Sequence, residues 1–162
     1  MADKKIKGKV WKYGDNINTD IISPPSYMEM SIEEASKYAM SPIDDDFAKK
    51  FKKGDILVGE NNFGSGSSRE TAPLTLKHLG VTIIIAKSFA RIFYRNSINL
   101  GIIAIECNET DKIRNGDILE IDYNKGEIVN LTKEEKYKST KIPQHIIKII
   151  NLGGLVEYLK RL

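Results

Sequence analysis

Apolar runs broken at regular intervals divide the middle of the chain into alternating strands and helices. Residues 55–58 (Asp-Ile-Leu-Val), 81–86 (Val-Thr-Ile-Ile-Ile-Ala) and 102–105 (Ile-Ile-Ala-Ile) are continuous and largely β-branched. Such runs predict strands buried on both faces rather than strands with one wet side. Residues 71–79 between the first two runs read as a helix, with Gly80 where a left-handed C-terminal cap belongs. The stretch 87–99 contains a second helix, its Ala90, Phe93 and Tyr94 at helical spacing. The order β-α-β-α-β predicts a parallel sheet with right-handed crossovers.

The flanks have other periods. Residues 6–13 read as a first strand, closed by a Gly14-Asp15-Asn16 turn. Residues 17–25 are expected to be extended or looped, because Pro24 and Pro25 argue against helix and against a central strand. Ser31-Ile32-Glu33-Glu34 is a capping box opening a helix to about residue 40, and Ser41-Pro42 stops it. Asp44, Asp45 and Asp46 precede a short helix through Phe51; three acids admit a metal site, but acids complementing a helix N-terminus are the preferred reading. Residues 118–122 and 127–131 alternate in period two around a 124–126 hairpin loop. Helices are expected over 144–152, after Pro143, and over 155–162. With no repeat and no linker, the expectation is one α/β domain over 1–162, a mixed and partly parallel sheet flanked by helices.

Composition narrows the function classes. A formal net charge of +3, with acids interspersed among the lysines, gives no basic run suited to nucleic acid. No apolar stretch approaches the roughly 20 residues that span a bilayer, and the polar start has no signal-peptide core. The single cysteine, Cys107, excludes an internal disulfide framework and an iron–sulfur cluster held by cysteines of this chain alone. A reducing, cytoplasmic setting is expected.

Chemistry concentrates in residues 61–70, Asn-Asn-Phe-Gly-Ser-Gly-Ser-Ser-Arg-Glu, between a strand and a helix. Glycines admit positive φ and close ligand approach. Amides at a helix start favour anions, and Arg69 offers a planar fork for carboxylate or phosphate. The dinucleotide fingerprint fails, because arginine stands where its third glycine belongs; the P-loop and the nucleophile elbow are absent. His78, the nearer of two histidines, reads as a helix-surface residue. Ser67 and Glu70 have capping-box spacing, so Ser67 could merely cap the helix. Pro73 moves the expected helix start toward Ala72 and leaves Ser67 and Ser68 in the loop. On the residues alone, an enzyme and a non-catalytic anion-binding module stand level, and a loop that only closes the fold is a third reading.

Residues 59–70 resemble the swivelling-domain motif of the aconitase superfamily, and so does Ala86-Lys87-Ser88-Phe89-Ala90-Arg91-Ile92-Phe93-Tyr94-Arg95-Asn96, at the family's spacing. Residues 14–22 are similar to its N-terminal signature, and the length resembles the free-standing small subunits of 3-isopropylmalate dehydratases. The resemblance implies a swivelling-type β/β/α fold and a hydro-lyase active only with a large subunit, whose [4Fe-4S] cluster acts as Lewis acid on a dicarboxylate substrate. This chain would bind no metal itself. By motif position, Ser67 matches the catalytic base, Asp20 an acid supporting it, and Ser68 and Arg69 the holders of substrate carboxylate.

The segment after the first signature reads the substrate's variable group in this family. Here it contains Tyr27, Met28 and Met30, apolar and adaptable, and lacks the arginine of homoaconitase-type subunits. An alkylmalate is therefore expected: 3-isopropylmalate first, as in leucine biosynthesis, with 2,3-dimethylmalate, citramalate and a homoaconitase-type substrate as alternatives. Glu29, Ser65 and Thr71 depart from the family pattern. The subunit count, including self-association of the isolated chain, stays open.

Overall fold

The computed structural model describes residues 5–67 and 69–162. One seven-stranded sheet runs in the order β4-β3-β2-β1-β5-β6-β7. The strands are β1 (Lys5–Lys12), β2 (Ile56–Val58), β3 (Ile83–Ala86), β4 (Ile103–Glu106), β5 (Ile118–Asp122), β6 (Glu127–Asn130) and β7 (Glu135–Lys138). β1 to β4 pair in parallel; β1 with β5, and β5 to β7, pair antiparallel. The mixed, partly parallel sheet is as expected. α4 (Thr71–Leu79) links β2 to β3, and α5 (Arg91–Asn99) links β3 to β4.

The apolar runs are continuous because the parallel strands are covered on both sides. Ile56, Val58, Ile83, Ile85, Ile103 and Ile105 point into one cluster, which β5, β6, β7 and α6 (Gln144–Asn151) complete through Leu119, Ile121, Ile128, Tyr137 and Ile147. Leu57 and Ile84, one residue out of phase, point into the other cluster with Leu76 of α4, Phe93 of α5 and Phe47. Alternate residues of a strand face opposite sides, so a branched apolar residue is needed at every position. Cys107 lies in the first cluster, where burial pushes its thiol pKa up.

The remaining helices are short: α1 (Thr19–Ile22), α2 (Ile32–Ala35), α3 (Phe47–Lys50) and, at the end, α7 (Leu155–Lys160). Ser31 caps α2 as its box predicts, accepting from Glu34 N–H at 3.2 Å, and the chain continues as a 3-10 turn over Ser36–Tyr38. Gly80 closes α4 in the left-handed conformation. Asp44 accepts from the Tyr13 hydroxyl at 2.7 Å and from Asp46 N–H at 2.9 Å, while Asp46 pairs with Lys50.

Two expectations are corrected. Residues 17–25 are not wholly extended. Asn18 accepts from Ile21 N–H and starts α1, which ends before the prolines; Pro25 then opens a 3-10 turn, where its missing N–H costs nothing. Strand β7 was not expected, because Glu-Lys-Tyr-Lys offers a single apolar residue. That residue, Tyr137, holds the strand: its hydroxyl donates to Glu135 at 2.7 Å and accepts from buried Asn130 at 3.2 Å. Burial, then the Glu135 hydrogen bond, pushes the Tyr137 pKa up to about 12.

β1 crosses the chain at one tight point. A Cβ on Gly8 would lie 2.0 Å from the Gly54 carbonyl oxygen, a backbone atom that cannot turn aside. Gly8→Ala is expected to lower stability by about 2 kcal/mol, read as a fall of about 4–8 °C in the thermal midpoint. An unchanged midpoint would show that β1 can shift without loss.

Candidate active site

The site forms beyond the carboxyl ends of β1, β2 and β3, where the three segments that follow these strands pair with one another. In open α/β sheets this is where ligands collect. Residues 14–19 bond to residues 60–65. Glu60 N–H donates to the Gly14 carbonyl (3.1 Å), Asn16 N–H to Asn61 (2.8 Å), Gly64 N–H to Ile17 (2.7 Å) and Thr19 N–H to Ser65 (2.9 Å). On the other side, Lys87 N–H donates to Glu60, Phe63 N–H to Ser88 and Ala90 N–H to Phe63, at 2.9 to 3.0 Å. Glycine is required within this frame. Gly64 has φ 84°, and a Cβ there would fall 2.1 Å from the Phe93 ring, so the loop lies directly against α5.

Charged groups tie the same strand ends. Glu60, largely buried, bonds Lys12 at 2.7 Å, accepts from the Thr110 hydroxyl at 2.7 Å and reaches Lys87 at 3.5 Å. Lys87 also pairs with Asp111. Burial opposes the charge on Lys87, but Asp111 and Glu60 outweigh it and raise its pKa; Lys87 in turn holds the Asp111 carboxyl below the usual range.

A cavity of about 200 Å³ is walled by Thr19, Gly66, Ser67 and Arg69 together with Arg91 and Asn96. Ser67 is exposed and lies before α4. The cap position of α4 is Glu70, not Ser67, and among the described residues no side-chain hydrogen bond caps the helix. Pro73 sits inside the first turn, which is why α4 can begin at Thr71. Arg69 is held from two directions: Nη2 lies 2.9 Å from Asp20 Oδ1, and Nη1 donates to the Ser23 carbonyl at 3.3 Å. An arginine has five N–H donors, so this clamp leaves some for an anion in the cavity.

Ser67 and Arg69 thus share one cavity, and Asp20 reaches it through Arg69. Asp20 was expected to support the base; among the described residues its ion pair is with Arg69. Ser68 lies outside the described residues. Tyr27, Met28 and Met30 do not wall the cavity: Tyr27 stacks on Tyr38 with ring centroids 3.8 Å apart, and Met28 and Met30 are 50% and 44% exposed. Their segment follows directly on Ser23, the residue whose carbonyl holds Arg69. Sequence reasoning missed Thr19, Arg91 and Asn96 as wall residues. The available signal was position, since α5 starts just past a buried parallel strand. His78 and His145 are both exposed, and neither walls the cavity. No group of acids, histidines or cysteine that could hold a metal ion, and no helix long and apolar enough to cross a membrane, occurs among the described residues.

Comparison with known proteins agrees with this architecture. Residues 3–110 match the Aconitase C-terminal domain family. The chain is 50% identical over 156 residues to 3-isopropylmalate dehydratase small subunit 1 of Archaeoglobus fulgidus, covering 96% of this chain and 97% of that one. It is 51% identical over 158 residues to the isopropylmalate/citramalate isomerase small subunit of Methanocaldococcus jannaschii, covering 96% and 94%. A crystal structure of 3-isopropylmalate dehydratase from M. jannaschii superposes with a TM-score of 0.91 at 47% identity, over 97% of this chain and 94% of that one. Aconitase X of Thermococcus kodakaraensis, at 15% identity and a TM-score of 0.53, shares the fold. The chain therefore belongs to the aconitase C-terminal domain family, among the small subunits of 3-isopropylmalate dehydratases.

Proposed function

We propose that this chain is the small subunit of a two-subunit hydro-lyase that isomerises an alkyl-substituted malate, 3-isopropylmalate foremost. The observation that carries the reading is the shared cavity of Ser67 and Arg69, open on one side, in a chain whose only cysteine is buried elsewhere. A guanidinium can bind a substrate carboxylate, and a hydroxyl beside it can take the proton from the adjacent carbon.

Serine is a poor base in water. Its alkoxide becomes accessible when a nearby cation stabilises it and water is excluded. Arg69 supplies the cation. Exclusion of water needs a cover, because Ser67, Arg91 and Ile92 are exposed around the cavity, and a large subunit is that cover in this reading. Cys107, buried at the end of β4, cannot offer the thiolate set that a [4Fe-4S] cluster requires, so the cluster is assigned to the partner. Bound there, it supplies a Lewis acid for the departing hydroxyl. The residues of this chain do the rest: Arg69 fixes the carboxylate, and Ser67 Oγ takes the proton from one carbon as hydroxide leaves the next and the C=C bond forms; the proton then goes to the carbon that lost the hydroxyl while water delivers hydroxide to the carbon that lost the proton, which gives the isomer. Ser68, by its place in the motif, is proposed as a second carboxylate contact. Tyr27, Met28 and Met30 are proposed to meet the alkyl group once the partner is docked, and the whole chain is taken as one domain acting in the cytoplasm.

A second substrate, citramalate, is favoured by one observation: a 51%-identical relative is named for both isopropylmalate and citramalate. Its smaller alkyl group would suit the same flexible methionines.

Three outcomes test the reading. Mixed with a large subunit under anaerobic conditions, the chain is expected to turn over 3-isopropylmalate, followed by the absorbance of the alkene, while neither subunit does so alone. Ser67→Ala is expected to lower kcat by about 10³-fold with assembly unchanged on size-exclusion chromatography; full activity in that variant would reduce the chain to a binding module. Asp20→Asn is expected to raise KM by about 3- to 10-fold through a loosened Arg69, yet to move the thermal midpoint by only about 1–2 °C, because Asp20 is half exposed and such pairs contribute little to stability. A kcat/KM equal to wild type would show that Arg69 needs no such anchor.

A further inference from the structure

Thr19, the first residue of α1, is 2% exposed, yet its hydroxyl has no hydrogen-bond partner among the described residues. Threonines at helix starts usually bond the local backbone. Here that task falls to Asn18, whose side chain accepts from Ile21 N–H at 2.9 Å. The Thr19 N–H is engaged as well, with the Ser65 carbonyl. The hydroxyl is left over, and Thr19 walls the cavity together with Ser67 and Arg69.

Leaving such a group unpaired and buried is unfavourable, and native proteins seldom do it without a water, an ion or a function. Thr71, Thr75 and Ser97 also carry unpaired buried hydroxyls, but none of these residues walls the cavity. Gly66 lies beside the hydroxyl, and no side chain there crowds it. The glycine adopts φ 97°, and a Cβ there would stand 3.3 Å from Thr19 Oγ1. The adjacent residue, Asp20, anchors Arg69. One turn of chain therefore presents both the clamp of the cation and a fixed neutral donor in the same cavity.

We infer that the Thr19 hydroxyl is a substrate contact, donating a hydrogen bond to the carboxylate that Arg69 binds. The inference deepens the proposed function and rests on its reading of the cavity as a dicarboxylate site. A hydroxyl is one donor with two lone pairs, and a carboxylate oxygen beside a guanidinium still has acceptor capacity. Because the donor is already buried and held by α1, little ordering is needed when the anion arrives.

Thr19→Val and Thr19→Ser in the assembled two-subunit enzyme test it. Valine keeps the shape and removes the hydroxyl; serine keeps the hydroxyl. Thr19→Val is expected to lower kcat/KM by about 10- to 100-fold, chiefly through KM, and Thr19→Ser to restore most of the loss. The thermal midpoint of Thr19→Val is expected to stay level or rise, since no hydrogen bond among the described residues is lost; a structural role predicts a fall instead. Calorimetric titration of the complex with malate gives a readout free of turnover: affinity should drop about tenfold in Thr19→Val. Malate binding that depends on Thr19 in a wild-type complex without turnover of alkylmalates would overturn the proposed reaction and support this contact. Turnover by wild type with kcat/KM and malate affinity unchanged in Thr19→Val, or a midpoint that falls with activity, would overturn the contact and leave the reaction standing.

Discussion

Backbone hydrogen bonds between residues 14–19, 60–65 and 87–90 are the constraint on which the site depends. These segments extend β1, β2 and β3 past the end of the regular sheet and keep them paired where no regular strand continues. The side chains that matter lie just beyond the pairing: Thr19 and Asp20 on the first segment, Ser67 and Arg69 on the second, Arg91 on the third. Without the cross-bonds each would ride on a separate surface loop. With them, a 46-residue separation between Ser23 and Arg69 closes to a 3.3 Å contact. The motif blocks that stand apart in sequence are one hydrogen-bonded unit in space, which explains why they occur together.

Electrostatics reinforce the unit from beneath. Glu60 sits among Lys12, Lys87 and the Thr110 hydroxyl, so a carboxylate at the root of the glycine loop is neutralised and oriented within the protein. Removing a partly buried carboxylate of this kind would leave Lys12 without its counter-charge and Lys87 with Asp111 alone, the costly half of breaking an ion pair. Arg69 is arranged differently. Its partner Asp20 is more exposed than it is, at 58% against 20% of the side chain, so the pair holds the guanidinium in direction without sealing it from a ligand. One network therefore stiffens the floor, and the other aims a cation into the cavity.

How much of this was legible follows from what each element needs. β2, β3 and β4 declare themselves because strands covered on both faces require an apolar residue at every position, and α4 occupies the span 71–79 read from its pattern. α1 was hidden because Pro24 and Pro25 were read as breaking the whole segment, although the helix starts at the Asn18 cap and ends before them. β7 was hidden because its outward face is charged and its attachment rests on Tyr137 with Asn130, a tertiary contact with no local pattern. At the site, the grouping of Ser67 with Arg69 came from motif spacing, whereas the attachment of Asp20 to Arg69 and the unpaired Thr19 hydroxyl depend on two loops meeting, and no periodicity encodes that.

The position of the segment proposed to meet the substrate's alkyl group fits the same logic. Tyr27, Met28 and Met30 lie outside the cavity, but their segment leaves from Ser23, which Arg69 grips. A part that binds the common carboxylate must be fixed before substrate arrives, and hydrogen-bonded backbone provides that. A part that meets a variable alkyl group gains from adaptability, and exposed methionines supply it. Tying the second to the first at one carbonyl places the adaptable segment next to the fixed cation while leaving its side chains free to be packed by whatever closes over the cavity. Under the proposed function, substrate choice belongs to the junction between subunits, and the chemistry common to every alkylmalate belongs to the paired loops.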